Sequence, residues 1–252
     1  MRNERPQQLE AWFQSPLGQA VRQLTAARLQ DILPRMYYPV SVQLGSPGIN
    51  FLAQNENGRR IFVNTNTIQA DTKFNVNAEF YQLPFPARSV DLVVLPHVLE
   101  FAHKPHRILR EVNQVIAPEG HLVIVGFSPV SFWGVKRFIL RWRKKAPWCG
   151  RFYSLARIQD WLSLLDFELR AGSMLCYRPP LYNQRIWRHL QFMEKAGERW
   201  WPMFGGVYVL IARKREVNAR LIQSVKRARP KFTPGLVRPA ASSRHERNHD
   251  IH

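Results

Sequence analysis

The chain has 252 residues, 45% of them apolar and 12% aromatic, enough to bury a sizeable core in one large domain or two small ones. Its 37 Lys and Arg against 18 Asp and Glu give a formal charge of +19, which suits an anionic partner (nucleic acid, an anionic membrane surface or an acidic substrate) without choosing among them. Two widely spaced cysteines, Cys149 and Cys176, indicate neither a disulfide framework nor a zinc site, and no window approaches the ~20 apolar residues of a membrane span.

The opening run MRNERPQQLEAWFQ lacks the apolar core of a secretory signal, so the expectation is a soluble cytoplasmic protein, at most peripheral to a membrane. Ser15 and Pro16 read as a cap and first-turn pair; Leu17, Val21, Leu24, Leu29, Ile32 and Leu33 follow near helical spacing, and Pro34 ends the helix. VSVQLGSPG and RRIFVNTNT are apolar runs that close on Gly, Ser, Pro or Asn, as strands entering loops do, and INFLAQNENG between them has room for a short helix. LPFPARSVDLVVLPHVLE then carries an apolar run that can cross a core as a strand and stops at Pro96 and His97.

In PHRILREVNQVIAPEG, Ile108, Leu109, Val112, Val115 and Ile116 mark one helical face, with Pro118 and Gly120 as the stop. HLVIVGFSP is the next buried strand. Apolar strands alternating with helices give an α/β protein, a mainly parallel sheet covered on both faces.

After Pro129 the pattern changes. SFWGVKRFILRWRKKAPW sets Val135, Phe138, Ile139 and Trp142 on one side of a helix and Lys136, Arg137, Arg141, Lys144 and Lys145 mostly on the other. The common arrangement for such a helix is a solvated charged face over an apolar stripe on the core; the alternative is a helix lying on an anionic membrane or gripping phosphate. SLARIQDWLSLLDFEL is a further amphipathic helix capped by Ser154 and running into a strand, and GGVYVLIARKR is the last strand. Between them lies a Trp-rich excursion over residues 181–202. Trp161, Trp187, Trp200 and Trp201 read as core or rim packing, His103 and His106 border a helix, and His121 and His189 show no ligand partners.

Residues 213–252 hold 11 Lys and Arg and 3 acids, too polar to offset the entropy of ordering them, and read as a disordered basic tail. The expected organisation is an N-terminal helical segment (1–39), a core domain (40–212) with insertions at about 130–151 and 178–203, and the tail.

In an open parallel sheet ligands bind beyond the carboxyl ends of the strands, where strand order reverses. The residues just after each apolar run therefore carry the information. Gly45 and Gly48 in QLGSPG permit a tight turn and a close approach of backbone to ligand.

The run AEFYQLPFPARSVDLVVLPHVLEFAHKPHRILREVNQVIAPEGHLVIV resembles the class I S-adenosylmethionine-dependent methyltransferases of the type 11 family. Glu79, LPFP, SVDLVV, HVLEF, LREVNQVIAPEG and HLVIV follow in that family's order and spacing, over about a third of the chain. The resemblance implies a Rossmann-like three-layer sandwich with a mostly parallel, seven-stranded sheet and S-adenosylmethionine as cofactor. By the same carry-over, Gly45, Ser46 and Gly48 lie against the methionine part of the cofactor. Asn64 or Asn66 faces the ribose, Glu79 and Phe80 face the adenine, and Pro96 and His97 stand at the rim where cofactor and acceptor meet.

Three features depart from the family pattern: the glycine loop reads Gln43, Gly45, Pro47, Gly48 and lacks the family's acid and middle glycine, Asn64 or Asn66 replaces the acidic ribose ligand, and Pro118 to Gly120 read PEG for PGG. Methyl transfer from a sulfonium needs alignment and exclusion of water; a base is needed only for a protonated nucleophile, and His97 is the candidate. The implied activity is methyl transfer to a small or apolar, lipid-like acceptor. The alternative is a methyltransferase fold that has lost catalysis and binds RNA or a membrane surface.

Overall fold

The computed structural model describes residues 4–33, 36–46, 49–52, 58–65, 75–140, 142, 145–181 and 184–215. Seven strands form one sheet: β1 Val40–Leu44, β2 Arg59–Asn64, β3 Asn75–Asn77, β4 Val90–Pro96, β5 Ile116–Phe127, β6 Phe167–Leu175 and β7 Val207–Lys214, in the order β3-β2-β1-β4-β5-β7-β6. The pairs β3–β2, β2–β1, β1–β4 and β4–β5 are parallel, while β7 runs antiparallel to both β5 and β6. Strand order reverses between β1 and β4, so the crevice expected to take a ligand lies beyond Leu44 and Pro96.

The centre of the sheet is apolar on both faces because both are covered. Leu92 and Val94 of β4 join one core with Val123, Val125 and Phe127 of β5; Val93 and Leu95 join the other with Leu122 and Ile124. The second core is closed by α3 (Pro105–Val115) and α5 (Leu155–Leu164). Ser154 caps α5 as expected, its hydroxyl accepting from Arg157 N at 3.4 Å.

Two helices cover the first core where one was expected: α1 (Glu4–Phe13), unread in the sequence, and α2 (Pro16–Ile32). Ser15 caps α2, accepting from Gly18 N at 3.2 Å. Gly18 has no alternative, since a Cβ there would stand 2.2 Å from the Trp12 carbonyl oxygen. That contact folds α1 back, so Leu9, Trp12 and Phe13 enter the core.

Three expectations need correction. The helix read as running to Pro118 ends at Val115, and Ile116–Gly120 instead opens β5 through a bulge, Val90 pairing with Ile116 and Leu92 with His121. Glu119 takes φ +63° there, the conformation a glycine would adopt freely. Residues 49–52 are not helical, the rest of the proposed short helix lying outside the described residues, as do residues 216–252 of the tail.

The third correction concerns α4 (Phe132–Leu140). Its inward face is Trp133 with Leu140, and the apolar stripe expected on the core points outward. Lys136 and Arg137 fold inward: Lys136 Nζ donates to Pro180 O and stands over the Trp148 ring, and Arg137 Nε donates to Gly150 O at 2.5 Å and stands over Phe152. Their stems cover aromatic surface while their heads find carbonyls and π-faces. The second insertion carries α6 (Gln184–His189), α7 (Phe192–Trp200) and a 3-10 turn at Pro202–Phe204. Here Trp187 is buried, whereas Trp200 and Trp201 are exposed rather than packed.

Candidate active site

Gly45 at the end of β1 takes φ +73° and Ser46 φ +51°, a left-handed turn that bends the chain sharply away from the sheet. Gly45 N donates to Val63 O at 2.8 Å, and Ser46 Oγ donates to Pro96 O at 3.4 Å, tying together the exits of β1, β2 and β4. Gly48 lies outside the described residues.

The turn is organised from beneath by Gln43, a fully buried side chain. Its Nε2 faces Gly45 O at 3.2 Å, Ser46 O at 3.2 Å and Ile49 O at 2.6 Å, and its Oε1 accepts from Phe51 N at 3.0 Å. A carboxylate can only accept, so it could serve Phe51 N but none of the three carbonyls. The replacement of the family's acid is thus matched by a loop whose carbonyls turn inward. A lone amide inside the strand VSVQL is the signal that sequence reading counted only as a departure.

Asn64, the buried last residue of β2, aligns with Asn77 of β3, and its carbonyl accepts from Ala78 N at 2.9 Å. Glu79 follows with an exposed side chain; Phe80 is half-buried. A Cβ on Gly45 would lie 3.5 Å from the Phe80 ring and 3.3 Å from Val98 Cγ2, so the chain brings together Gly45, Phe80 and the exit of β4. Asn66 lies outside the described residues.

Pro96 and His97 end β4 for a geometric reason. Pairing with β1 stops at Val94, so the missing N–H of Pro96 interrupts no bond on that side, and His97 turns the chain at φ +54° while its N–H still donates to Val125 O at 2.9 Å. Its backbone is at the expected rim. Its ring is not: only 1% exposed, it lies 4.2 Å from the Phe127 ring and 5.5 Å from Phe13 of α1.

His97 Nδ1 is 3.1 Å from Glu100 Oε1, and Phe127 N donates to the same oxygen at 2.9 Å. The carboxylate is held from two sides and fixes the imidazole through Nδ1. Glu100, Phe127 and Phe13 escaped sequence reading; the three-residue spacing of His97 and Glu100 in HVLEF was the available signal for the first.

A left-handed turn at Gly45, an amide at the end of β2, and a carboxylate beside an aromatic ring after β3 fit a nucleoside with an amino acid tail. This sheet order with its reversed seventh strand defines a Rossmann-like methyltransferase fold. The methyltransferase-domain model of the type 11 family matches residues 50–124. The uncharacterized protein YafS of Escherichia coli is 30% identical over 218 residues, 84% of this chain and 83% of that one. An uncharacterized Mycobacterium tuberculosis protein, Rv2003c, is 24% identical over 180 residues, 68% of this chain and 61% of that one.

Among solved structures, a possible histamine N-methyltransferase from Thermotoga maritima superposes with TM-score 0.62 at 18% identity, covering 82% of this chain and 94% of that one. The geranyl diphosphate C-methyltransferase of Streptomyces coelicolor, solved with S-adenosylhomocysteine, gives TM-score 0.54 at 18% identity, covering 76% and 78%. The chain belongs to the class I S-adenosylmethionine-dependent methyltransferases, type 11 family. The cofactor of that family is S-adenosylmethionine. No helix among the described residues is long and apolar enough to cross a membrane.

Proposed function

We propose that the protein transfers a methyl group from S-adenosylmethionine to a small or apolar, lipid-like acceptor at the exits of β1, β4 and β5. The observation that carries this reading is the turn at Gly45 and Ser46, pinned by Gln43 below and Pro96 beside it at the point where strand order reverses. Gly45, Ser46 and Gly48 would hold the methionine end, Asn64 a ribose hydroxyl, and Glu79 with Phe80 the adenine, the carboxylate accepting from its amino group. Bound there, the cofactor supplies both the activated methyl and its leaving group.

The protein's own part is alignment and dryness. Phe13, Phe127, Trp12 and Trp133 pack on one another with rings 4.9–6.1 Å apart in the core beside the end of β5, which keeps water from that side of the site. For a hydroxyl acceptor, His97 is the base candidate. Glu100 fixes Nδ1, so the proton would go to Nε2, and access requires the packing of Phe13 or Phe127 on the ring to loosen.

Thermal stability with S-adenosylhomocysteine tests the reading. At a hundred times its dissociation constant a ligand adds about 2.7 kcal/mol, an easily measured rise in melting temperature. An unchanged melting temperature at millimolar ligand would support the rival reading, a fold that has lost catalysis.

A further inference from the structure

The outward face of α4 is the largest feature that methyl transfer leaves without a role. Trp133 anchors the helix, fully buried, its Nε1 donating to Arg178 O at 3.0 Å and its ring stacked on Phe127 at 5.7 Å. With Lys136 and Arg137 folded against the body, Phe132, Val135 and Ile139 stand on the opposite side at 54%, 59% and 65% exposure, next to Val130 at 55%. Phe138 and Trp142 continue the same face. Single exposed apolar residues are ordinary, but a contiguous stripe of six large ones marks a contact surface.

We propose that this face docks on an anionic lipid bilayer. Charge selects the occupant. Residues 120–159 contain no Asp or Glu and eight Lys and Arg, of which Lys145 and Arg151, in the segment that follows α4, are exposed among the described residues. A second copy docking by the same face would bring these cations against their own counterparts. An anionic bilayer accepts apolar side chains at the acyl boundary and cations at the headgroups together, the pattern of interfacial helices. Met203 and Phe204, also exposed, lead into Gly206, whose Cα lies so close to the Trp133 indole that a Cβ would sit 2.1 Å from it. A second apolar segment therefore adjoins α4.

Docking would also set the rim of β5 beside the lipid. α4 begins five residues after Phe127, whose ring contacts His97, so an apolar acceptor could pass from the bilayer toward the site without crossing water. Docking itself does not depend on the methyl-transfer reading.

The experiment is co-sedimentation of the full chain with vesicles of phosphatidylcholine alone or mixed with phosphatidylglycerol. Expected is binding to the mixed vesicles only, weakened in molar salt, where the screening length is about 3 Å. Val135→Ser with Ile139→Ser should reduce it about tenfold or more, while Leu164→Ser, an exposed change on α5, should leave it intact. Equal binding by the double variant and the parent, or equal binding to neutral vesicles, overturns the proposal. So does a dimer in sedimentation equilibrium that the double variant dissociates, or displacement from vesicles by RNA that binds both proteins alike. Vesicle binding without S-adenosylhomocysteine binding would remove the methyltransferase reading alone.

Discussion

The amide of Gln43 and the carbonyl of Ile49 are joined at 2.6 Å across the turn that leaves β1, the shortest of the contacts by which this side chain holds the loop. An amide was selected here because the loop offers it three acceptors and one donor. The family's acid would answer the donor and oppose the acceptors.

Restoring that acid should therefore harm the protein. Gln43→Glu is expected to lose about 1–3 kcal/mol or more, since it buries a charge against carbonyls stripped of their donor. Urea unfolding measures the loss, and calorimetric titration should show weaker S-adenosylhomocysteine binding. Tighter binding by Gln43→Glu would mean that the loop adopts the family's ordinary form once given its acid, and the inward-facing carbonyls would lose their significance.

The pairing of His97 with Glu100 separates a base from a packing residue. His97→Gln is expected to abolish one ionisation from the pH profile of kcat with a hydroxyl acceptor, leaving the binding of S-adenosylhomocysteine within about twofold. Glu100→Gln keeps an oxygen for Phe127 N but removes the charge that would stabilise an imidazolium, so it should lower kcat more than KM. Equal pH profiles for parent and His97→Gln, with stability alone reduced, would assign His97 to packing.

Much of this arrangement was legible before any coordinates. The centre of the sheet, the Ser15 and Ser154 caps and the crossover pattern all follow from short-range chemistry: apolar runs, a hydroxyl before a helix, turns at Gly and Pro. α1 escaped because only four of its ten residues are apolar and its hold on the core passes through Gly18, a contact no periodicity reports. α4 was read inside out for a related reason. Helical spacing states which residues share a side, not which side is inward, and one buried Trp133 with two cation stems outweighs the four smaller apolar residues Phe132, Val135, Phe138 and Ile139 once Trp148 and Phe152 lie beneath it. β3, three residues with one half-buried valine, has too little apolar surface to announce itself.

Acid should destabilise the protein through His121. Burial on β5 beside Arg213 lowers its pKa from the ordinary 6.5, against a smaller opposing pull from Glu119, and Tyr38 packs on the ring at 5.7 Å. The unfolded chain then binds a proton that the folded chain refuses between these two values, so stability is constant above about pH 6.5 and falls as pH drops through the window below it. His121→Gln should flatten that part of the stability curve. An unchanged slope would place the acid sensitivity elsewhere.

Gly18 connects the N-terminal segment to the site, and replacing it tests whether α1 governs access to His97. A Cβ at this position meets the Trp12 carbonyl at 2.2 Å and the Phe13 Cα at 2.6 Å, both main-chain atoms that cannot swing aside. Gly18→Ala must part α1 from α2, at a cost of about 1–3 kcal/mol, and with it withdraw Phe13 from the face of the imidazole. Hydrogen exchange should then rise in α1 and at Phe127 while the sheet edge at β6 stays protected. Because Phe13 is one of the two rings packed on the imidazole, diethyl pyrocarbonate should modify His97 in Gly18→Ala faster than in the parent. If the rates are equal although α1 is loosened, the route to the imidazole does not run past Phe13, and the acceptor must approach from the α4 side.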